Sequence, residues 1–116
     1  MNFLKTIFGG SSASSVDATE AKALINSAKP PFILDVRQPD EYRAGHIAGA
    51  KLIPLNELRG RMDELPKDTE ILCVCASGSR SGVATSQLSS AGFNPINLRG
   101  GMSGWQRAGN PVKKGK

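Results

Sequence analysis

The chain has 116 residues, enough for one domain with a real core. Hydrophobic residues make up 39% and charged residues 22%, ordinary for a globular protein, and no stretch nears the roughly 20 apolar residues of a membrane span. The net charge of +5 does not mark a nucleic-acid binder: Lys113, Lys114 and Lys116 crowd the last four residues, and aromatic residues, at 5%, form no stripe interleaved with basic ones.

The opening segment, MNFLKTIFGG, holds too short an apolar stretch for a signal peptide, and Lys5 interrupts it. It reads as a frayed terminus, with a short amphipathic anchor as the alternative. Residues 9–15, GGSSASS, are a small-residue linker, so 1–15 is expected to be a flexible segment ahead of one domain at 16–108 and a basic tail at 109–116. Val16 sits in a short first strand. Asp17 is an N-cap and Glu20 completes a capping box for a helix whose core face carries Ala21, Leu24, Ile25 and Ala28. Pro30 and Pro31 stop it. Phe32 to Val36 is a short apolar run, read as a buried parallel strand. Pro39 opens a brief helix. Gly45 to Ala50 is a turn region, and Lys51-Leu52-Ile53 a brief strand. Leu58, Met62 and Leu65 mark one side of a further helix ending at Pro66.

Ile71-Leu72-Cys73-Val74-Cys75 is the clearest central strand. A tight polar loop follows, and then a helix from about Arg80, with Val83, Ala84, Leu88 and Ala91 toward the core and Gly92 as its stop. Pro95 to Leu98 is a last strand, and Gly100-Gly101 leads into a short helix carrying Trp105. Strands alternating with helices imply an α/β sandwich on a parallel sheet, and such sheets bind ligands at the carboxyl ends of their strands. Cys75 stands at such an end.

A bridge between Cys73 and Cys75 would be badly strained, so two free thiols are expected, which fits a reducing, cytoplasmic setting. Two cysteines and one distant histidine make no metal site, and no cofactor is implied. Cys75-Ala76-Ser77-Gly78-Ser79-Arg80 runs from strand into helix. The helix start offers unpaired N–H groups, the Gly/Ser turn lets amides converge as an anion nest, and Arg80 adds a permanent cation. An ordinary thiol is only ~3% thiolate at neutral pH, and a drop of about two units makes most of it thiolate, the nucleophilic form. Cys75 is therefore the candidate nucleophile and Cys73 a core residue. Every acidic residue lies at or before Glu70, so the half bearing both cysteines reads as uniformly positive and anion-favouring.

Three stretches, in order, resemble the signatures of the rhodanese homology domain over about Val16 to Trp105. They are Ile33 to Arg37 with Glu41-Tyr42 and Gly45 to Ala50, then Cys75 to Ser81, then Gly100-Gly101 with Trp105. The resemblance implies a three-layer α/β/α sandwich with a five-stranded parallel sheet. It implies a sulfurtransferase in which Cys75 takes sulfane sulfur from a small anionic donor such as thiosulfate, becomes a persulfide, and passes the sulfur to a thiol or cyanide. Ala76, Ser77, Gly78, Ser79 and Ser81 would bind substrate around the nest, and Arg80 would close the loop. The loop is six residues from Cys75 to Arg80, as in the sulfurtransferase branch; the related phosphatases and arsenate reductases have seven. Such a phosphatase or reductase is the lesser alternative. Another is a binding module, or a relay that accepts sulfur only from a protein partner. Asp35 is expected under the loop in a supporting role, and Arg37 is expected to pair with Asp40 or Glu41 or to draw anions in. His46 is expected to stabilise a turn rather than act as a base, and Trp105 to cover core.

Overall fold

A computed structural model describes residues 14–116. The readings placed on the opening segment, whether frayed end, linker or anchor, lie outside the described residues except at Ser14 and Ser15. In chain order the elements are β1 (Ser14–Val16), α1 (Ala18–Ile25), β2 (Phe32–Asp35), α2 (Pro39–Ala44), β3 (Lys51–Leu52) and α3 (Leu55–Leu58). After a 3-10 turn at Met62–Glu64 come β4 (Glu70–Val74), α4 (Ser79–Ser90), β5 (Asn94–Leu98) and α5 (Gly101–Arg107). The five strands form one parallel sheet in the order β1-β5-β4-β2-β3. Among the described residues no helix is long and apolar enough to cross a membrane.

The two faces of the sheet follow from strand alternation. Ile71, Cys73 and Cys75 point to one side, where they join Leu34, Val36, Leu58, Ala84 and Leu88 beneath α3 and α4. Leu72 and Val74 point to the other, with Ile96, Leu98, Ala21, Met102 and Trp105 beneath α1 and α5. β4 is buried on both faces, which is why it reads as an unbroken apolar run. β4 and β5 are in register as Leu72 with Ile96 and Cys73 with Asn97, so Asn97 shares a face with both cysteines.

Local signals set most of the boundaries. Asp17 and Glu20 do form the reciprocal capping box of α1. Pro39 opens α2, and Gly92 stands past α4 with φ 90°, where a side chain would be strained. Three expectations fail. Helix α1 ends at Ile25 and Ala28 is exposed, because the Ser27 N–H and hydroxyl both turn back onto the Leu24 carbonyl and tighten the chain there. The helix expected through Leu58, Met62 and Leu65 is split: tight turns at Gly60 and Arg61 separate α3 from the 3-10 turn, although Leu58 and Leu65 still reach the core. Val83 is 48% exposed rather than inward. The buried stripe of α4 is Ser81, Ala84, Thr85 and Leu88, and Val83 lies about 200° round from Ser81.

The basic tail keeps its lysine side chains exposed but its backbone is held. His46 and Lys113 exchange backbone bonds at 2.9 and 2.8 Å, Gly115 N–H donates to Arg43 O, and Trp105 Nε1 donates to Pro111 O. His46 is buried, with Nδ1 at 2.8 Å from Tyr42 O and its ring stacked on Tyr42, consistent with a turn-fixing role.

Candidate active site

Cys75 directly follows β4, and its sulfur lies under the turn that enters α4. Gly78 makes that turn with φ 109°, a conformation that favours glycine, and its N–H donates to Cys75 Sγ at 3.0 Å. The Ser81 hydroxyl, one helical turn on, lies 3.3 Å from the same sulfur. Burial by itself would push this thiol up, but the Ser81 hydroxyl and the Ser81, Gly78 and Ser77 amides outweigh it, and the net effect holds Cys75 below the ordinary thiol value. These donors stabilise the anion and do little for the thiol.

Helix α5 grips the back of the loop. Met102 N–H donates to Cys75 O at 2.8 Å and Ser103 N–H to Ala76 O at 3.0 Å. A trans peptide is planar with its C=O and N–H opposed, so holding the Ala76 carbonyl to α5 turns the Ser77 N–H, one of the sulfur's donors, the other way. Gly101 makes the approach feasible. A Cβ there would stand 2.5 Å from Cys75 O and 2.6 Å from Ala76 C and O. Gly101, the first residue of α5, is thus a requirement of the cysteine loop, one strand and one helix earlier in sequence.

The structure brings Cys75, Ala76, Ser77, Gly78 and Ser81 together. Ser77 and Ser79 are themselves exposed, and Ser77 contributes its backbone. Arg80 does not close onto the sulfur. Its guanidinium makes a bidentate pair with Glu41 at 2.8 and 2.9 Å, which raises the arginine and holds the Glu41 carboxyl at about 2. The charge of Cys75 reaches Arg80 only as a through-space contribution. The uniformly positive half is therefore neutralised at its most relevant cation, because α2 carries an acidic residue across the fold. Arg99 likewise lies 3.8 Å from Glu20.

Asp35 and Arg37 form a unit of their own. Both are buried, with Arg37 Nη2 2.8 Å from Asp35 Oδ2 and also 2.8 Å from Gly45 O. Arg37 therefore pairs with Asp35, not with Asp40 or Glu41, since the Glu41 carboxylate is already taken by Arg80 and by Gln38 N–H. The Asp35 carboxylate accepts from Arg37 rather than from the cysteine loop. The pair staples the end of β2 to the Gly45 turn. Cys73 is wholly buried and pushed up to about 12 by that burial, which the nearby Thr85 hydroxyl only partly offsets. Sequence reasoning passed over Asn97, whose side chain reaches Ser81 and Gly78, and the signal was there: one carboxamide in the otherwise apolar run Pro95 to Leu98.

Residues 17–108 match the family model described as a rhodanese-like domain. A sulfurtransferase of Allochromatium vinosum is 33% identical over 84% of this chain and 92% of its own length. A putative sulfur carrier protein of Bacillus subtilis, YrkF, is 40% identical over 72% of this chain and 46% of its own length. The crystal structure of a rhodanese-related protein from Thermoplasma volcanium superposes with a TM-score of 0.81 at 35% identity, covering 86% of this chain and 97% of that one.

Proposed function

This chain belongs to the rhodanese-like domain family, and from that premise we propose that it is a sulfurtransferase or sulfur carrier in which Cys75 holds sulfur as a persulfide. The observation that carries this reading is the convergence of the Gly78 amide and the Ser81 hydroxyl on Cys75 Sγ, 3.0 and 3.3 Å away. The Cys75 thiolate attacks the sulfane sulfur of the donor. An S–S bond forms to Cys75, the donor's own bond to that sulfur breaks, and the electron pair leaves on sulfite, for thiosulfate, or on a thiolate, for a persulfide. The outer sulfur now carries the charge, and the loop amides hold it. An acceptor thiolate or cyanide then attacks that outer sulfur and Cys75 departs as thiolate. The same donors that favoured the nucleophile stabilise the leaving group.

The commitment of the Arg80 guanidinium to Glu41 supports a persulfide donor over the doubly charged thiosulfate. A persulfide on a partner protein gives a relay, a reading favoured by the similarity to a putative sulfur carrier. The test is intact mass after incubation with thiosulfate and with a thiol persulfide, followed by reductant. One added sulfur, removed by reductant and absent from Cys75→Ser, is the expected result. Unchanged mass with every donor, or the same gain in Cys75→Ser, overturns the reading.

A further inference from the structure

The Ser81 hydroxyl has one proton and two acceptors. Its Oγ lies 3.3 Å from Cys75 Sγ and 2.5 Å from Asn97 Oδ1. The orientation of the Asn97 carboxamide is fixed by its other end, because Nδ2 donates to Gly78 O at 3.3 Å, and a flipped amide would set two carbonyl oxygens face to face. Oδ1 must therefore meet Ser81. When Cys75 is a thiol, its S–H can donate to Ser81 Oγ and the hydroxyl proton goes to Asn97. When the sulfur is an anion, that proton is needed at the sulfur, and the short bond to Asn97 must be given up.

We propose that Asn97 is a positioning residue whose Oδ1 accepts the Ser81 O–H hydrogen bond whenever the Cys75 sulfur is uncharged and gives that bond up to the sulfur when it becomes an anion. This rests on the sulfur-transfer reading, and it adds a rotor to it. In the persulfide the charge sits on the outer sulfur, so the hydroxyl lies against Asn97. As an acceptor pulls that sulfur away, the hydroxyl swings to the departing thiolate. No bond to Asn97 forms or breaks beyond this hydrogen bond, and no proton leaves Ser81. Asn97 is well placed for such a role because β5 presents it on the same face as Cys73 and Cys75, in register with Cys73. Removing it leaves the loop carbonyl supported, since Gly78 O also accepts Gly82 N–H at 3.0 Å.

The direction of the effect is distinctive. A residue that merely braced the loop would, when lost, weaken the donors around the sulfur and move Cys75 upward. Asn97 as a competing acceptor predicts the reverse. The experiment titrates Cys75 by the pH dependence of its alkylation in the wild type, Asn97→Ala, Ser81→Ala and the double variant. Asn97→Ala is expected to shift the midpoint down by about half a unit and Ser81→Ala to shift it up by about one. In the Ser81→Ala background, Asn97→Ala is expected to change nothing, since no hydroxyl is left to release. Asn97→Asp, a stronger acceptor, shifts the midpoint up and does so less without Ser81, which keeps the test intact if Asn97→Ala fails to fold. An upward shift in Asn97→Ala, or equal shifts with and without Ser81, overturns the proposal. The titration needs no turnover, so it separates this failure from that of the transfer reading, which the mass experiment decides.

Discussion

Cys73 and Cys75 lie two residues apart, on the same face of one strand, and neither exposes any surface. One is pushed up to about 12 and the other is held below the ordinary thiol value. Burial acts on both in the same direction but more heavily on Cys73, deep within the strand, so depth is part of what separates them. The rest of the difference is that β4 continues past Cys73 and stops before Cys75. Within a strand, backbone amides are spent on the neighbouring strands, and the Cys73 S–H is left to donate weakly to Ile71 O at 3.8 Å. Past the strand end the amides are free to turn: the left-handed turn at Gly78 brings its N–H to the sulfur, and α5 fixes the peptide that carries the Ser77 N–H. The lowered thiol follows from where the ladder ends, together with its shallower place beneath the turn.

The largest expected effect breaks the pair apart directly. Cys75→Ser should abolish sulfur loading, read by intact mass, while Cys73→Ala should load at the wild-type rate and cost about 1–2 kcal/mol of stability as a small cavity in a packed core. Loading that depends on Cys73 would invert the comparison. Next in size is Gly101→Ala. A methyl 2.5 Å from the Cys75 carbonyl must push α5 off the loop, so the Ser77 amide loses its aim. We expect a loss of about 3 kcal/mol in thermal unfolding and an upward move of the Cys75 midpoint toward that of an ordinary thiol. A variant that loses stability but keeps its low midpoint would show that α5 does not set that amide.

Of intermediate size is the pH profile. With Cys75 held below the ordinary thiol value, loading should rise with pH through a midpoint lower than that value and level off above it, where the thiolate is complete. Ser81→Ala should move the midpoint up by about one unit, leaving a smaller active fraction at neutral pH. A wild-type profile with an ordinary thiol midpoint would mean that burial wins over the donors at Cys75 as it does at Cys73.

These contrasts also show what the sequence could reveal. The alternation through Ile71 to Cys75, the capping box at Asp17 and Glu20, and the breakers at Pro39 and Gly92 are local, and they were legible. The cysteine loop was legible as a strand-to-helix turn of small residues. The failures concern partners distant along the chain. Glu41 and Arg80 are 39 residues apart, and nothing in either segment announces a bidentate pair. Asn97 and Ser81 meet only because β5 lies beside β4. Val83 and Ala28 were misplaced for the opposite reason: apolar spacing says a helix has an inner face, and only packing and helix ends decide which residues share it.

The smallest effect concerns the pair that the charge pattern concealed. The Glu41 carboxyl is held at about 2 by the Arg80 guanidinium. A depressed carboxyl stabilises the fold above its ordinary value near 4.5 and loses that contribution as pH falls through about 2, so the bridge is intact throughout the range in which Cys75 ionises. It is a partly exposed pair, and breaking it with Glu41→Gln should cost under about 1 kcal/mol. Its consequence lies in substrate choice. Glu41→Gln leaves the guanidinium uncompensated beside the loop, and thiosulfate loading should rise about two- to threefold at low salt and return to the wild-type rate at high salt. Loading from a singly charged persulfide should change less. Arg80→Ala leaves Glu41 uncompensated instead and should slow thiosulfate by a similar factor, with the Cys75 midpoint moving by no more than a few tenths of a unit, because the sulfur's own donors are untouched. A large midpoint shift in Arg80→Ala would return the cation to the sulfur and make the loop's amides the lesser partner.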